Sequence, residues 1–195
     1  MSNQIETVIS VDLSNRNKTT VFWRGVLALP VVIFLGSFTP NWNAGWEATG
    51  VLVIPVVLAL LVRGVYPSYV LSFNQALIEL ETRVATYVLL LNDDYPSIER
   101  NPRVTVTLPE IDGGKALNPW LPLVKWLLAI PLYIVGVAYA LATAFATVIA
   151  WIQTSFTGEY PAWAAEITLG TIKYWNRIYG CMLVMVTDEY PSFKL

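Results

Sequence analysis

The sequence predicts an all-α membrane protein made of two parallel tandem repeats. Each repeat is expected to hold a transmembrane hairpin and a long interfacial amphipathic helix, with short cytoplasmic β-strands. Two observations predict this class. Of the 195 residues, 55% are hydrophobic and only 13% are charged, which is too apolar for an ordinary soluble domain. The stretch "NDDYPSIE" (92–99) also returns in altered form as "TDEYPSFK" (187–194), which indicates a duplicated unit.

The repeat sets the expected boundaries of the two units. The stretch "RGVYPSYVLSF" (63–73) aligns with "TGEYPAWAAEI" (157–167), a shift of 157 − 63 = 94 residues. One extra residue in the second copy then brings Tyr95 onto Tyr190. We therefore expect a first repeat over 1–101 and a second over 102–195. Copies that point the same way are related by a pseudo-two-fold axis along the membrane normal.

Each repeat is expected to open on a short strand. The segments "TVISVDL" (7–13) and "VTVTL" (104–108) alternate between apolar and polar residues, a pattern typical of a half-buried strand. One strand comes from each repeat, so the two are able to pair into a small cytoplasmic sheet.

The apolar segments that follow predict membrane hairpins over 21–62 and 121–156. The second contains no charge from Trp126 to Phe156. As a single helix this block would be about 46 Å long, against a hydrocarbon core of about 30 Å. We therefore expect two short spans with a turn near Gly136 to Leu141. The tip of the first hairpin, 39–50, carries no Lys or Arg, which predicts that both chain termini and the middle segment are cytoplasmic.

Long helices are expected over 68–91 and 162–186, each with a thin polar face. We favour an interfacial position, although their length also permits spanning. Spanning would place Glu79, Arg83, Lys173 and Arg177 in hydrocarbon, at several kcal/mol each unless they are paired. Glu79 lies four residues before Arg83, a favourable spacing. Glu79 is also expected near Lys173 across the pseudo-axis, or else each of the four head groups reaches water or lipid phosphate by itself.

Tyr-Pro pairs bound these two helices. Tyr66 and Tyr160 precede the helix starts, and Tyr95 and Tyr190 follow the helix ends. Proline fixes its own φ and pushes the preceding residue out of the α region. We expect all four corners to lie at one membrane face, with the end corners docked on the neighbouring repeat or subunit.

Charged residues beside the corners are candidate lipid or partner contacts. Asp94 and Asp188 belong to the acidic pairs that precede Tyr95 and Tyr190, and they are expected to cap helix ends, pair with arginine or stay solvated. Arg83 and Arg177 occupy equivalent positions and are expected to anchor each helix through a carboxylate or a lipid phosphate.

The residue inventory argues against several functions. The chain has no histidine and a single cysteine, so an internal disulfide is excluded and a thiol or serine nucleophile lacks its usual base. Two adjacent acids fall well short of a cation's ligand set. The net charge of −2 does not favour nucleic acid. We predict no catalytic residue, no metal and no cofactor.

Four segments resemble the bacterial membrane proteins of domain-of-unknown-function family 4389. They are "NPWLPLVKWLLAIP" (118–131), "TGEYPAW" (157–163), "YWNRIYG" (174–180) and "TDEYPSF" (187–193). The resemblance implies a duplicated protein of the bacterial cytoplasmic membrane and carries no reaction.

From the residues we expect a non-enzymatic accessory or scaffold protein, bound to lipids and assembled as a homo-oligomer or with other membrane subunits. A small transporter or channel, and a lipid-binding, membrane-shaping protein, are the alternatives.

Overall fold

The computed structural model describes residues 3–38, 52–99 and 101–195. Helices account for 61% of the described residues. Two strands, β1 (Glu6–Ile9) and β2 (Val104–Thr107), pair antiparallel with Glu6 opposite Thr107. The mostly helical class and the two short paired strands are therefore confirmed.

Seven α-helices are described. They are α1 (Lys18–Phe22), α2 (Arg24–Leu27), α3 (Leu29–Gly36), α4 (Val53–Arg63), α5 (Ser68–Val88), α6 (Pro122–Thr157) and α7 (Ala162–Ile178). A π-helical turn, Tyr179–Leu183, continues α7, and a short 3-10 turn covers Asp112–Gly114.

The Tyr-Pro corners act on the backbone as their chemistry predicts. Pro67 and Pro161 are the N-cap residues of α5 and α7, with extended ψ angles of 124° and 128°. The helices before them, α4 and α6, end on Gly64 and Gly158 in the left-handed region, where glycine lacks the Cβ penalty. Each half of the chain therefore turns from an apolar helix into a long helix through the same short sequence.

The hairpin predicted over 121–156 is wrong, because α6 is one continuous helix of 36 residues. The expected turn near Gly136 does not form, since the surrounding residues are mostly apolar and lack a polar turn sequence. Gly136 instead permits close packing: a Cβ at this position would lie 2.8 Å from the ring of Trp175. The helix α7 packs back along α6, so continuous helix–helix packing replaces the turn.

The apolar segment of the first half is divided differently. The predicted hairpin segment 21–62 contains the end of α1, all of α2 and α3, and most of α4. The expected tip, 39–50, lies outside the described residues. The two halves of the chain thus build this segment in unlike ways, although both begin and end at matching sequences.

The described residues form three layers. The sheet lies on one side of α5 and α7, where Gln75 donates to the Val106 carbonyl at 3.0 Å. The two long helices meet at Thr82 and Asn176, since the Asn176 amide donates to the Thr82 hydroxyl and to the Thr7 hydroxyl of β1, each at 3.0 Å. The helices α3 and α6 pack on the other side of α5 and α7.

Of the helices in the described ranges, α6 alone is long and apolar enough to cross a bilayer. Its 36 residues correspond to about 54 Å at 1.5 Å per residue. Only 22% of its most apolar window is buried, so α6 is unlike the covered core helix of a soluble protein. Its outer face carries large exposed side chains such as Trp126, Phe145 and Phe156.

Candidate functional site

A buried polar cluster centres on Asp93, just after the end of α5. Arg16 Nη2 donates to Asp93 Oδ1 at 2.7 Å, and Arg24 donates to the same oxygen. The backbone N–H of Asn17 donates to Asp93 Oδ2 at 3.0 Å. Asn17 is the N-cap of α1, so Asp93 connects the end of α5 to the start of α1. We call this group the Asp93 latch.

A matching cluster centres on Asp188, beyond the π-helical turn. Lys125 Nζ lies 2.9 Å from Asp188 Oδ1 and donates to the Thr187 carbonyl at 2.8 Å. The backbone N–H of Asn118 donates to Asp188 Oδ2 at 2.6 Å. We call this group the Asp188 latch. In both latches an aspartate accepts from a backbone N–H near the start of an apolar segment and from a buried cation of the same segment.

The cations of the two latches bind the chain in the same way. Arg24 donates to the Asn92 carbonyl at 2.9 Å, as Lys125 does to the Thr187 carbonyl. Both residues stand three positions before the matching sequences "LALP" (27–30) and "LAIP" (128–131). Sequence reasoning missed them as site residues, although each is the charge at the edge of an otherwise apolar block.

The electrostatics of the Asp93 latch follow from burial and charge. Burial by itself raises the pKa of Asp93, but the hydrogen bonds from Arg16, the Asn17 amide and Arg24 outweigh it, and the pKa lies below its ordinary value. Burial lowers the pKa of Arg24, whose guanidinium also lies 4.0 Å from the ring centre of Tyr87. The Asp93 latch is therefore a partly buried, charged cluster in which several hydrogen-bond donors stabilise one carboxylate.

The Tyr-Pro corners at the helix starts make reciprocal contacts. The Tyr66 hydroxyl donates to the Val184 carbonyl at 2.7 Å, and the Tyr160 hydroxyl donates to the Leu89 carbonyl at 3.1 Å. Both tyrosines are buried, and burial raises the pKa of Tyr66 to about 12. Each long helix thus begins beside the end of the other.

The corners at the helix ends are more exposed. Tyr95 packs edge-on against Tyr87 with ring centres 5.5 Å apart. The Tyr190 hydroxyl donates to the Leu128 carbonyl at 3.1 Å. The corners form two clusters. Tyr66 lies in the cluster at the start of α5, and Tyr95 lies in the cluster beyond its end. Their common membrane face stays a prediction.

The predicted anchor arginines contact backbone carbonyls. Arg83 is buried, lies 3.8 Å from Glu79 and donates to the Ser97 carbonyl at 3.0 Å. Arg177 donates to the Lys194 carbonyl. Each arginine therefore holds the backbone at or just after the Tyr-Pro-Ser sequence of its own half.

The remaining predicted residues lie nearer the surface. Lys173 lines a groove between α7 and β1, together with Glu6 and Glu189. Asp94 pairs with Arg103 at 2.7 Å, away from the buried cations that its neighbour Asp93 binds.

An apolar cavity of about 580 Å³ lies where α5 and α7 cross. Thr82 and Asn176, which meet at the crossing, both line it, and α3 and α6 supply apolar and small residues such as Leu35 and Ala140. We call it the axial cavity. Among the described residues that line it, Glu81 is the single carboxylate. Glu81 was not among the predicted site residues, and it aligns with Trp175 at the 94-residue shift.

No protein-family model, no curated protein and no solved structure matches this chain.

Proposed function

We propose that this protein is a non-enzymatic scaffold of the bacterial cytoplasmic membrane, built from two copies of one unit. The single observation that carries the membrane role is the exposed apolar face of α6 (Pro122–Thr157), because a contiguous apolar patch on a protein surface is typical of a membrane or protein contact. Membrane lipids, further copies of this chain and other membrane subunits are the proposed partners.

The duplication is supported by contacts that recur at equivalent positions. In the Asp93 latch and in the Asp188 latch, one carboxylate oxygen of the aspartate accepts a hydrogen bond from the backbone N–H of an asparagine. The Tyr66 and Tyr160 hydroxyls bind carbonyls at the end of the opposite long helix. Leu90 and Met185, with φ of 65° and 60°, end these helices in the same rare conformation. A pseudo-two-fold axis through Thr82 and Asn176 accounts for all three pairs.

We infer the orientation in the membrane from the non-helical segments that contact the middle of α6 and α7. The strand β1 contacts α7 at Asn176, and the Phe193 carbonyl accepts from Tyr139, near the middle of α6. Non-helical backbone does not occur at the bilayer centre unless protein or water surrounds it. We therefore propose that α5, α6 and α7 lie along the membrane plane, with α6 immersed and the sheet on the cytoplasmic side.

This arrangement replaces the four-span hairpin map expected from the sequence and keeps its interfacial helices. It also keeps both described ends of the chain on the cytoplasmic side. A long helix immersed in one leaflet is typical of monotopic proteins. It also favours the membrane-shaping alternative, because α6 would expand the leaflet that holds it.

The depth of α6 tests this proposal. Single cysteines are placed at Trp126, Ile134, Phe145 and Phe156 in a Cys181→Ala background, spin-labelled and reconstituted in bilayers. Accessibility to oxygen and to a water-soluble nickel complex then gives the depth of each label. We expect similar depths within one leaflet, whereas Thr105→Cys on the sheet is expected to be water-accessible. A deep centre with the two ends on opposite sides contradicts the in-plane orientation.

The scaffold role is tested by mass measurement after extraction in native membrane discs. We expect assemblies larger than one chain. A single chain with lipid alone contradicts the scaffold role, and measured solute flux in liposomes favours the transporter alternative.

A further inference from the structure

The axial cavity has the size and lining of a small-molecule site. Its volume of about 580 Å³ lies within the range of pockets that hold drug-sized ligands. Leu35, Ala140, Ala144 and Ile172 make most of the wall apolar, and a few polar groups converge on it from α5 and α7. This combination of an apolar wall and few polar groups is the usual design of a ligand pocket.

Most polar groups of the axial cavity already have partners within the protein. The Thr143 hydroxyl donates to the Thr171 hydroxyl at 2.8 Å, which itself donates to the Ile167 carbonyl. The Thr82 hydroxyl donates to the Ile78 carbonyl at 2.7 Å. These groups are satisfied, so they leave the recognition of a ligand to the remaining polar side chains.

Glu81 differs from these residues. Throughout the described ranges 3–38, 52–99 and 101–195, no hydrogen bond or ion pair reaches its carboxyl group. Tyr179 on α7 is the ionisable group that faces it, and the cavity-lining residues of α3 and α6 have no ionisable side chain. A carboxylate in an apolar cavity without a cation is costly, and a bound cation offsets that cost.

We propose that the axial cavity binds a hydrophobic molecule that carries one protonated amine, with Glu81 as its counter-ion. The apolar wall holds the hydrocarbon part, and the carboxylate selects for positive charge. The cavity lies between α3 and α6, so a ligand dissolved in the membrane reaches it from the hydrocarbon side. This inference rests on the cavity and on Glu81, and it stands apart from the scaffold role.

The pKa of Glu81 supports this proposal. Burial raises the pKa of Glu81 to about 8, so in the absence of a ligand the carboxyl group of Glu81 is largely protonated at neutral pH. An alkyl amine, like a lysine side chain, has a pKa near 10.4 and stays charged. Binding therefore displaces a proton from Glu81 below pH 8, and affinity for the amine is expected to fall about tenfold per pH unit there.

The test compares three probes of equal chain length: tritiated dodecylamine, dodecanol and dodecanoate. Equilibrium binding is measured on the full chain in phosphatidylcholine nanodiscs, with protein-free discs as background. At pH 8 we expect saturable binding of dodecylamine, at least about tenfold tighter than that of dodecanol. Equal binding of the three probes, or tighter binding of dodecanoate, overturns the proposal.

Two variants and a control locate the site. Glu81→Gln keeps the shape and removes the charge, so the preference for dodecylamine is expected to disappear, while dodecanol binds as before. Ala144→Phe fills the cavity and is expected to abolish the binding of both. Glu166→Gln on the exposed face of α7 is the matched control. A preference for amine that survives in Glu81→Gln, or binding that survives in Ala144→Phe, rules out this site.

The pH dependence gives a readout that needs no variant. Between pH 9 and pH 6 the affinity of the parent protein for dodecylamine is expected to fall, whereas that for dodecanol stays constant. A flat profile for dodecylamine contradicts the role of Glu81.

Discussion

The Asp93 latch and the Asp188 latch have the same geometry but unequal charge. Asp93 binds two buried arginines, Arg16 and Arg24, whereas Asp188 binds the single buried Lys125. Both aspartates accept a backbone N–H near the start of an apolar helix. The comparison indicates that the fold requires a carboxylate at this place, while the number and type of cations vary.

The largest expected effect is the loss of the Asp93 carboxylate. Asp93→Ala leaves two buried guanidinium groups without a counter-charge, and Asp188→Ala leaves one ammonium. Removal of one partner of a buried ion pair costs about 3–5 kcal/mol. We expect Asp93→Ala to lower thermal stability in detergent more than Asp188→Ala. Asp94→Ala is the control, since its pair with Arg103 is largely exposed and is worth about 1 kcal/mol or less. Equal losses in all three variants contradict the latch.

Acid is a second way to break the same latch. The pKa of Asp93 is lowered in the folded protein, so its stabilisation is fully present above the unfolded value of about 3.9. It is lost as pH falls through the lower folded pKa. We therefore expect the stability difference between the parent and Asp93→Asn to shrink in acid titrations monitored by circular dichroism. A difference that stays constant down to pH 2 contradicts this account.

The crossing of α5 and α7 offers the next comparison, because Glu81 of the first half aligns with Trp175 of the second. The pKa of Glu81 is raised from 4.5 to about 8, so the folded state loses stability as pH rises between these values. The upper limit is on the order of 5 kcal/mol. Glu81→Gln is expected to stabilise the ligand-free protein at pH 9 and to change little at pH 4. Melting curves at the two pH values measure this, and a stabilisation of equal size at both contradicts it.

The π-helical turn of the second half provides a comparison of intermediate size. In the alignment of the two halves, the second half is one residue longer between Arg177 and Tyr190. The π-helical turn Tyr179–Leu183 lies in this interval, and such turns occur as bulges inside α-helices. Deletion of Tyr179 is expected to convert the turn into α-helix and to keep the Asp188 latch in register.

The matched deletion of Ala85 in α5 is expected to behave differently. One residue rotates the following turn by about 100°, which moves Asp93 away from Arg16 and Arg24. Yield of monodisperse protein and melting temperature separate the two deletions. A deletion of Ala85 that is tolerated as well as that of Tyr179 contradicts the insertion account.

The smallest expected effects come from the reciprocal tyrosines. Tyr66→Phe and Tyr160→Phe each remove one hydrogen bond between the two halves and leave a buried carbonyl without its donor. Each is expected to cost about 1–3 kcal/mol, with Tyr66→Phe the larger because its bond is shorter, 2.7 against 3.1 Å. Tyr95→Phe serves as the exposed control. Chemical denaturation measures all three, and a loss in Tyr95→Phe equal to the others contradicts a special role of the buried pair.

The local backbone features of this protein follow from its sequence alone. Proline restricts the backbone at its own position and at the preceding residue, so the corners at Tyr66-Pro67 and Tyr160-Pro161 followed from the local sequence alone. Alternation of apolar and polar residues was enough to predict β1 and β2. The alignment of the two halves predicted which residues correspond, because such a correspondence is read from the sequence without a structure.

The long-range contacts of those residues depend on how the helices and strands pack together. The uncharged block 126–156 continues as one helix, and Trp175 of α7 packs closely against Gly136, where a turn was expected. The role of Arg24 and Lys125 depends on carboxylates 69 and 63 residues away along the chain. Such distances leave no periodic signal in the sequence. Glu81 likewise resembles any other polar helix residue until α3, α6 and α7 enclose it, because desolvation arises only when separate elements pack together.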